Sequence, residues 1–298
     1  MKQLRIGVLG LSEGNGHPYS WSAIFNGYDP DAMSSCPFPV IPQYLGLQKF
    51  PEDCIPNAKV THIWTQDRAI SEDVAKASLI ENVVDNPQDM IDEVDAVLLA
   101  RDDAPTHYEL SAPFLRAGLP VYIDKPLATS VSEAQRIYEL GKNPGQVFSC
   151  SALRYSDDLT LTPELREKTG TVVHVHATTM KYWDTYSVHI IEPTLKLMGI
   201  SDSPIKVSSS SSADRKTVCA TWADGKQAVF STLGNIPAPI KIHVFGEKSN
   251  VELIFEDTFH SFRAALRSFI EGVRDHREMI PQEEVLRVVE LIEKGSAE

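Results

Sequence analysis

Between Asp95 and Ala128 the chain reads DAVLLARDDAPTHYELSAPFLRAGLPVYIDKPLA. An apolar run from Ala96 to Ala100 gives way to a polar turn and a helical segment ending at Ala117-Gly118. A second apolar run, Val121-Tyr122-Ile123, follows. Two apolar runs joined by a helical crossover make a strand–helix–strand unit, whose neighbouring strands lie parallel and are buried on both faces. Open parallel sheets receive ligands at the carboxyl ends of their strands. Asp124 and Lys125, clamped by Pro126, stand at such an end. A lysine just past a buried strand is ordinarily a solvated loop residue, so position alone does not assign it a role.

The same alternation runs through the first half of the chain. Leu4–Gly10 is an apolar strand entering a glycine-rich turn, Gly10-Leu11-Ser12-Glu13-Gly14-Asn15-Gly16, and Pro18 suits the first turn of the helix that follows. A glycine loop before a helix N-terminus favours negative charge. The dinucleotide pattern G-x-G-x-x-G is met imperfectly, because Ser12 holds the place of its second glycine while Gly14 and Gly16 are off register. Residues 28–57 carry Pro30, Pro37, Pro39, Pro42, Pro51 and Pro56, which forbids a long helix. With Phe38, Val40, Ile41, Tyr44, Leu45 and Phe50 as apolar anchors, this insert is expected to be an ordered lid or subunit contact.

Lys59–Trp64 reads as a strand leaving through Thr65-Gln66-Asp67-Arg68, then a helix from Ser71 to Leu79 with Ser71 as its cap, a short strand at Val83-Val84 and a helix near Pro87. At the end of the second strand an acidic residue can bond an adenosine ribose and an arginine can hold a 2′-phosphate, so Asp67 and Arg68 leave NAD and NADP both open. A helix from Ser130 or Ser132 to Lys142 and a sixth strand, Gln146–Ser151, complete a doubly wound parallel sheet over residues 1–150.

From residue 151 to residue 298 strands cluster and helices move to the margins, which marks an α+β domain on a large, mainly antiparallel sheet. Thr171–Thr179 is β-rich and His189–Met198 is helical. Strands are expected at Ile205–Ser210, Thr217–Trp222, Gln227–Leu233, Lys241–Phe245 and Val251–Phe255, with Asp224-Gly225 a hairpin turn. Two amphipathic helices, Phe259–Asp275 and Pro281–Lys294, close the chain. His174 and His176 share one strand face, but nothing beside them completes a metal-ligand set, and no metal is expected.

A net charge of −13 with no basic cluster argues against nucleic acid and anionic membranes as partners. No apolar run approaches the roughly twenty residues that span a bilayer, and Met1-Lys2-Gln3-Leu4-Arg5 leads into a strand instead of a signal core, so a cytoplasmic protein is expected. Cys36, Cys54, Cys150 and Cys219 form no C-x-x-C pair and read as reduced structural thiols.

With these residues in view, the chain resembles the Gfo/Idh/MocA family of NAD(P)-dependent oxidoreductases of sugars, inositols and related compounds. The resemblance lies in the DAV strand, a turn to His107, a helix ending Ala117-Gly118, and a strand into Asp124-Lys125-Pro126, where the family has E-K-P. It continues through Arg154-Tyr155, a histidine near the start of a second-domain helix, the Asp224-Gly225 hairpin and Gly246–Ser249.

The resemblance implies hydride transfer between NAD or NADP and a hydroxyl or carbonyl of a sugar, polyol or sugar derivative. It implies Lys125 and His189 as catalytic residues, assisted by Asp184 or Tyr186, because Thr185 holds the place of the family's acid four residues before the histidine. It implies a cofactor site from Gly10, Ser12, Gly14, Asn15, Gly16, Asp67, Arg68, Ala100, Arg101, Asp102, His107, Asp124, Lys125 and Pro126. Arg154, Tyr155 and Trp183 would face substrate, and copies of the chain would pair as a homodimer or homotetramer through the second sheet. Arg101-Asp102-Asp103 replaces the family's Thr-Pro-Asn turn and sets two carboxylates near an anionic cofactor. The competing reading is a non-catalytic ligand-binding or regulatory protein on the same fold.

Overall fold

The computed structural model describes residues 2–297, and the chain in it divides into two compact units. The first comprises Met1–Asp124, Gln135–Ser149 and Phe262–Ile280; the second comprises Lys125–Ala134, Cys150–Ser261 and Pro281–Glu298.

In the first unit the chain runs β1 (Leu4–Leu9), α1 (His17–Asn26), α2 (Pro30–Met33), α3 (Val40–Leu45), β2 (Ala58–Trp64), α4 (Arg68–Ala77), β3 (Asn82–Val83), β4 (Ala96–Leu99), α5 (His107–Ala117) and β5 (Val121–Ile123). It resumes in the second half of α6 (Val131–Tyr138) and in β6 (Val147–Phe148). All six strands are parallel, in the order β3-β2-β1-β4-β5-β6. That is the dinucleotide-fold order, with its reversal at β1 and β4.

The structure departs from three of the expectations. Asp67, not Ser71, caps α4: its carboxylate accepts the Ala69 amide at 2.9 Å, while the buried Ser71 hydroxyl accepts the Thr65 amide at 2.8 Å. The segment after Pro87 makes only a 3-10 turn, Pro87–Met90, before the strand at Ala96. Within the proline-rich insert, Asp29 caps α2, and Met33, Ile41 and Leu45 are buried; Val40, expected among the anchors, is 59% exposed.

An aromatic column fills the first unit. Trp21 stacks on Tyr122 with centroids 4.8 Å apart, and Tyr122 meets Phe148 at 4.7 Å and Phe269 at 5.7 Å. Such pairs add stabilisation beyond the area they bury.

The second unit contains α7 (Pro163–Thr169), β7 (Val172–Thr179), α8 (Trp183–Tyr186), α9 (Val188–Met198), β8 (Lys206–Ser212), β9 (Arg215–Thr221), β10 (Gln227–Thr232), β11 (Lys241–Gly246) and β12 (Asn250–Ile254). The first turn of α10 (Thr258–Asp275) and α11 (Gln282–Ser296) follow. Its sheet runs β12-β11-β7-β10-β9-β8, antiparallel throughout except for the parallel pair β7 and β10. Gly225, at φ +87°, makes the turn between β9 and β10 that its sequence announces. The serine run lies in the exposed edge strand β8. Val175, Ala177, Val218, Phe230 and Val244 form a core with Ile190, Ile191, Val288 and Ile292.

Candidate active site

At the carboxyl end of the first sheet, the loop after β1 is largely satisfied by its own unit. The Ser12 hydroxyl donates to the Asp102 carboxylate at 2.7 Å and accepts the Asp102 amide at 3.1 Å. Gln66 exchanges two hydrogen bonds with the Leu11 backbone, and Arg101 reaches the Leu11 carbonyl at 3.0 Å and the Gln66 side chain at 3.1 Å. The Arg101 guanidinium also grips Asp103. Partial burial works against the Asp103 charge, but that guanidinium holds its carboxyl below the usual range. His107 and Ala100 are buried, and the His107 ring contacts the Arg101 carbonyl at 2.8 Å, so both support the turn from behind.

The same loop grips the end of β5. Asn15 donates to the buried Asp124 carboxylate at 2.8 Å, and the His17 ring meets the same oxygen at 2.5 Å. Asn15 also accepts the His17 amide. His17 stacks on Trp21 at 4.7 Å and meets Phe262 edge-on at 5.0 Å. The carboxylate before Lys125 is thus fixed by Asn15 of the glycine loop and by His17 at the start of α1. His17 escaped the sequence reading, although its place directly after Gly16 was a visible signal.

Several features fit a nucleotide. The sheet order is right, α1 has no acidic residue in its first turn, and Gly14 sits at φ +76° with open space where a Cβ would point. Gly10 and Gly16 answer to packing instead: a Cβ would stand 2.2 Å from Pro18 and 2.5 Å from Ile41 respectively. At the end of β2, Arg68 is already engaged by Glu72 and Asp85, while Asp67 keeps its capping role.

The second unit gathers a different set of groups. Lys125 and Pro126 open one of its segments, both are buried, and the peptide between them is cis. The Lys125 ammonium lies 5.3 Å from the centre of the Tyr186 ring, and Tyr186 meets His189 edge-on at 4.9 Å. His189 is held by Ser151, whose hydroxyl lies 2.8 Å from Nδ1. Lys181 donates to the Tyr186 hydroxyl at 2.7 Å. Lys125, Tyr186 and His189 are therefore together. Asp184 is not with them, because its carboxylate accepts the Ser296 hydroxyl at 2.6 Å.

Behind His189, one turn along α9, Glu192 accepts the Ser151 amide at 2.6 Å and Arg154 at 3.2 Å; Arg154 also pairs with Glu284. Burial pushes the Glu192 carboxyl up, against the pull of Arg154 and of the Ser151 amide. Burial works against the Arg154 charge, yet Glu192 and Glu284 keep it more firmly protonated than an ordinary arginine. Arg154 is thereby a buttress for the loop that carries Ser151. Trp183 is core: it is 5% exposed, its indole donates to the Ile292 carbonyl at 2.9 Å, and the ring packs against Gly295. Tyr155 is partly buried beside Arg154 in the 3-10 turn Ala152–Tyr155. Ser151, Lys181 and Glu192 escaped the sequence reading; the i,i+3 spacing of His189 and Glu192 was a usable signal for the last.

Residues 47–151 match the Gfo/Idh/MocA model, described as an oxidoreductase family with an NAD-binding Rossmann fold. Over that segment the chain is similar to the Gfo/Idh/MocA family. It begins beyond the glycine loop and contains the whole strand–helix–strand unit with Asp124-Lys125-Pro126. No curated protein matches the chain in sequence. Among solved structures, the chain is similar to myo-inositol 2-dehydrogenase from Lactobacillus plantarum, with 16% identity, a TM-score of 0.73, and 98% of this chain and 95% of that one covered. A scyllo-inositol dehydrogenase from Lactobacillus casei with bound NAD(H) and scyllo-inositol gives 14% identity and a TM-score of 0.73, over 98% and 95%. UDP-N-acetylglucosamine 3-dehydrogenase from Acidithiobacillus ferrooxidans gives 13% and 0.70, over 99% and 97%. Likeness at such identities establishes a shared fold over nearly the whole chain. Among the described residues, no helix is long and apolar enough to cross a membrane.

Proposed function

We propose that the chain is an NAD-dependent oxidoreductase that moves a hydride between the nicotinamide and a hydroxyl or carbonyl of a sugar, polyol or sugar derivative. The observation that carries this reading is the grouping of Lys125, Tyr186 and His189 in one cluster, with Lys125 following directly on a family-matched strand end. Inositol and sugar-nucleotide dehydrogenases among the fold relatives support the substrate class. When bound, the nicotinamide supplies or accepts the hydride.

The protein's part is to place the reacting carbon and to manage the proton and the charge on oxygen. The Lys125 ammonium stabilises a developing alkoxide, and His189, oriented by Ser151, and the Tyr186 hydroxyl are the groups that exchange the proton. Gly14, Asp67 and the turn at Arg101-Asp102 are the groups that would line the nucleotide. NAD is favoured over NADP because the charge of Arg68 is already matched by Glu72 and Asp85, leaving it poorly disposed toward a 2′-phosphate. Association of copies through the open face of the second sheet, where His176 and Cys219 are exposed, is part of the same reading and is checked by sedimentation.

Titration with NADH and NADPH, followed by nicotinamide fluorescence, tests the cofactor. NADH should bind at least tenfold more tightly; no binding of either at millimolar concentration would sink the proposal. Oxidation of a panel of inositols, sugars and sugar acids, followed by NADH absorbance, then tests the reaction.

A further inference from the structure

The Tyr186 ring is served by two ammonium groups: Lys125, and Lys181 at 4.2 Å from the ring centre. Among the described residues no carboxylate pairs with Lys181. The two acids nearest to Lys181 and Tyr186 in sequence are engaged elsewhere, Asp184 by Ser296 and Glu192 by Arg154 and the Ser151 amide. Tyr186 takes one of the three protons of the Lys181 ammonium, leaving two to donate.

The backbone at Lys181 is unusual as well. Its φ is +61°, in the left-handed region that glycine or asparagine adopts more readily, and an isolated bridge to Gly234 fixes it there through hydrogen bonds of 2.7 and 2.9 Å. A lysine held in that conformation, beside the proton-handling tyrosine, on a chain of net charge −13, marks a place where a cation is wanted.

We infer that the substrate carries an anionic group, a carboxylate or a phosphate, and that Lys181 receives it. The inference deepens the proposed function, resting on the same site: Lys125, Tyr186 and His189 work at the reacting carbon, and Lys181 holds the charged end. It narrows the substrate class from sugars and polyols in general to sugar acids or sugar phosphates. Lys181, which is exposed, is then a specificity residue that recognises the anion by opposite charge.

Calorimetric titrations of the full chain, with and without NADH, test this using glucuronate and gluconate in one arm, glucose 6-phosphate in a second, and glucose and myo-inositol as neutral congeners. At least one anionic ligand should bind tenfold or more tightly than its neutral congener, and the arm that responds identifies the charged group. Lys181→Asn keeps a residue at home in the left-handed region, so its melting temperature should match or exceed that of the parent, and the anionic preference should vanish. Lys181→Arg should retain it. Equal affinity for charged and neutral ligands, no binding of any anionic ligand, or a preference that survives in Lys181→Asn would overturn the inference. If anionic sugars bind through Lys181 while neither nicotinamide cofactor binds, the oxidoreductase reading fails and the anion site stands.

Discussion

The glycine loop of the first unit and the lysine–tyrosine–histidine cluster of the second handle polar groups in opposite ways. In the loop, Ser12 faces Asp102, Asn15 and His17 face Asp124, and Arg101 is shared among Leu11, Gln66 and Asp103. In the cluster, two ammonium groups crowd one phenol ring, and Asp184, the acid beside Tyr186 in sequence, faces away. A loop closed by its own hydrogen bonds keeps its shape without a ligand but must trade contacts to take one. A cluster that gathers two ammonium groups presents positive charge to an electron-rich partner.

The largest effect should come from the cluster. Lys125→Ala is expected to cut turnover by about a hundredfold to ten-thousandfold, with NADH affinity, read by fluorescence, changed far less. Equal loss of both would place Lys125 on the structural side of the contrast. Glu192→Ala should come next, at about 3 to 5 kcal/mol in urea unfolding, because Arg154 would lose a buried partner and the Ser151 amide its acceptor. If the loss is confined to activity, the buttress role assigned to Arg154 and Glu192 is wrong.

In the first unit, Asp95 offers a pH test of a carboxylate clamp. Partial burial raises its pKa, but the Arg5 amide and guanidinium, with help from Lys2, bring it below the ordinary range. A lowered folded pKa means that the stabilisation is present above the unfolded value, about 4, and is lost as pH falls through the folded one. The parent should therefore lose about 1 kcal/mol more than Asp95→Asn between neutral pH and pH ~3, measured by denaturant unfolding. The smallest effect belongs to the loop itself. Asp102→Asn should tighten NADH by about threefold to fivefold, since removing a partly exposed carboxylate is worth under ~1 kcal/mol. Weaker binding would show that Asp102 serves the nucleotide directly.

Much of the architecture was readable because its signals are local. Continuous apolar runs announced β1, β4 and β5; alternation and a D-G turn announced β9 and β10. The pattern around Lys125 pointed to the segment that the family match also contains. What escaped depended on distant contacts. Nothing in the string says that Asp184 turns to Ser296, that the Trp183 indole is spent on Ile292, or that His17 meets a carboxylate more than a hundred residues away. The cap of α4 was misplaced for a related reason: Asp67 and Ser71 are both competent caps, and burial of Ser71 beneath Thr65 decides between them.

The division of the chain into interleaved stretches has a consequence for its biosynthesis. Phe262 and Phe269 complete the aromatic column that begins at His17 and Trp21, so the first unit has its full interior only once residue 280 has emerged from the ribosome. The nascent N-terminal half must wait with Trp21, Tyr122 and Phe148 incompletely covered, a condition that invites chaperone capture. A gene fragment ending near residue 150 should accordingly yield an aggregation-prone product, and the order of translation becomes part of how this protein reaches its native state.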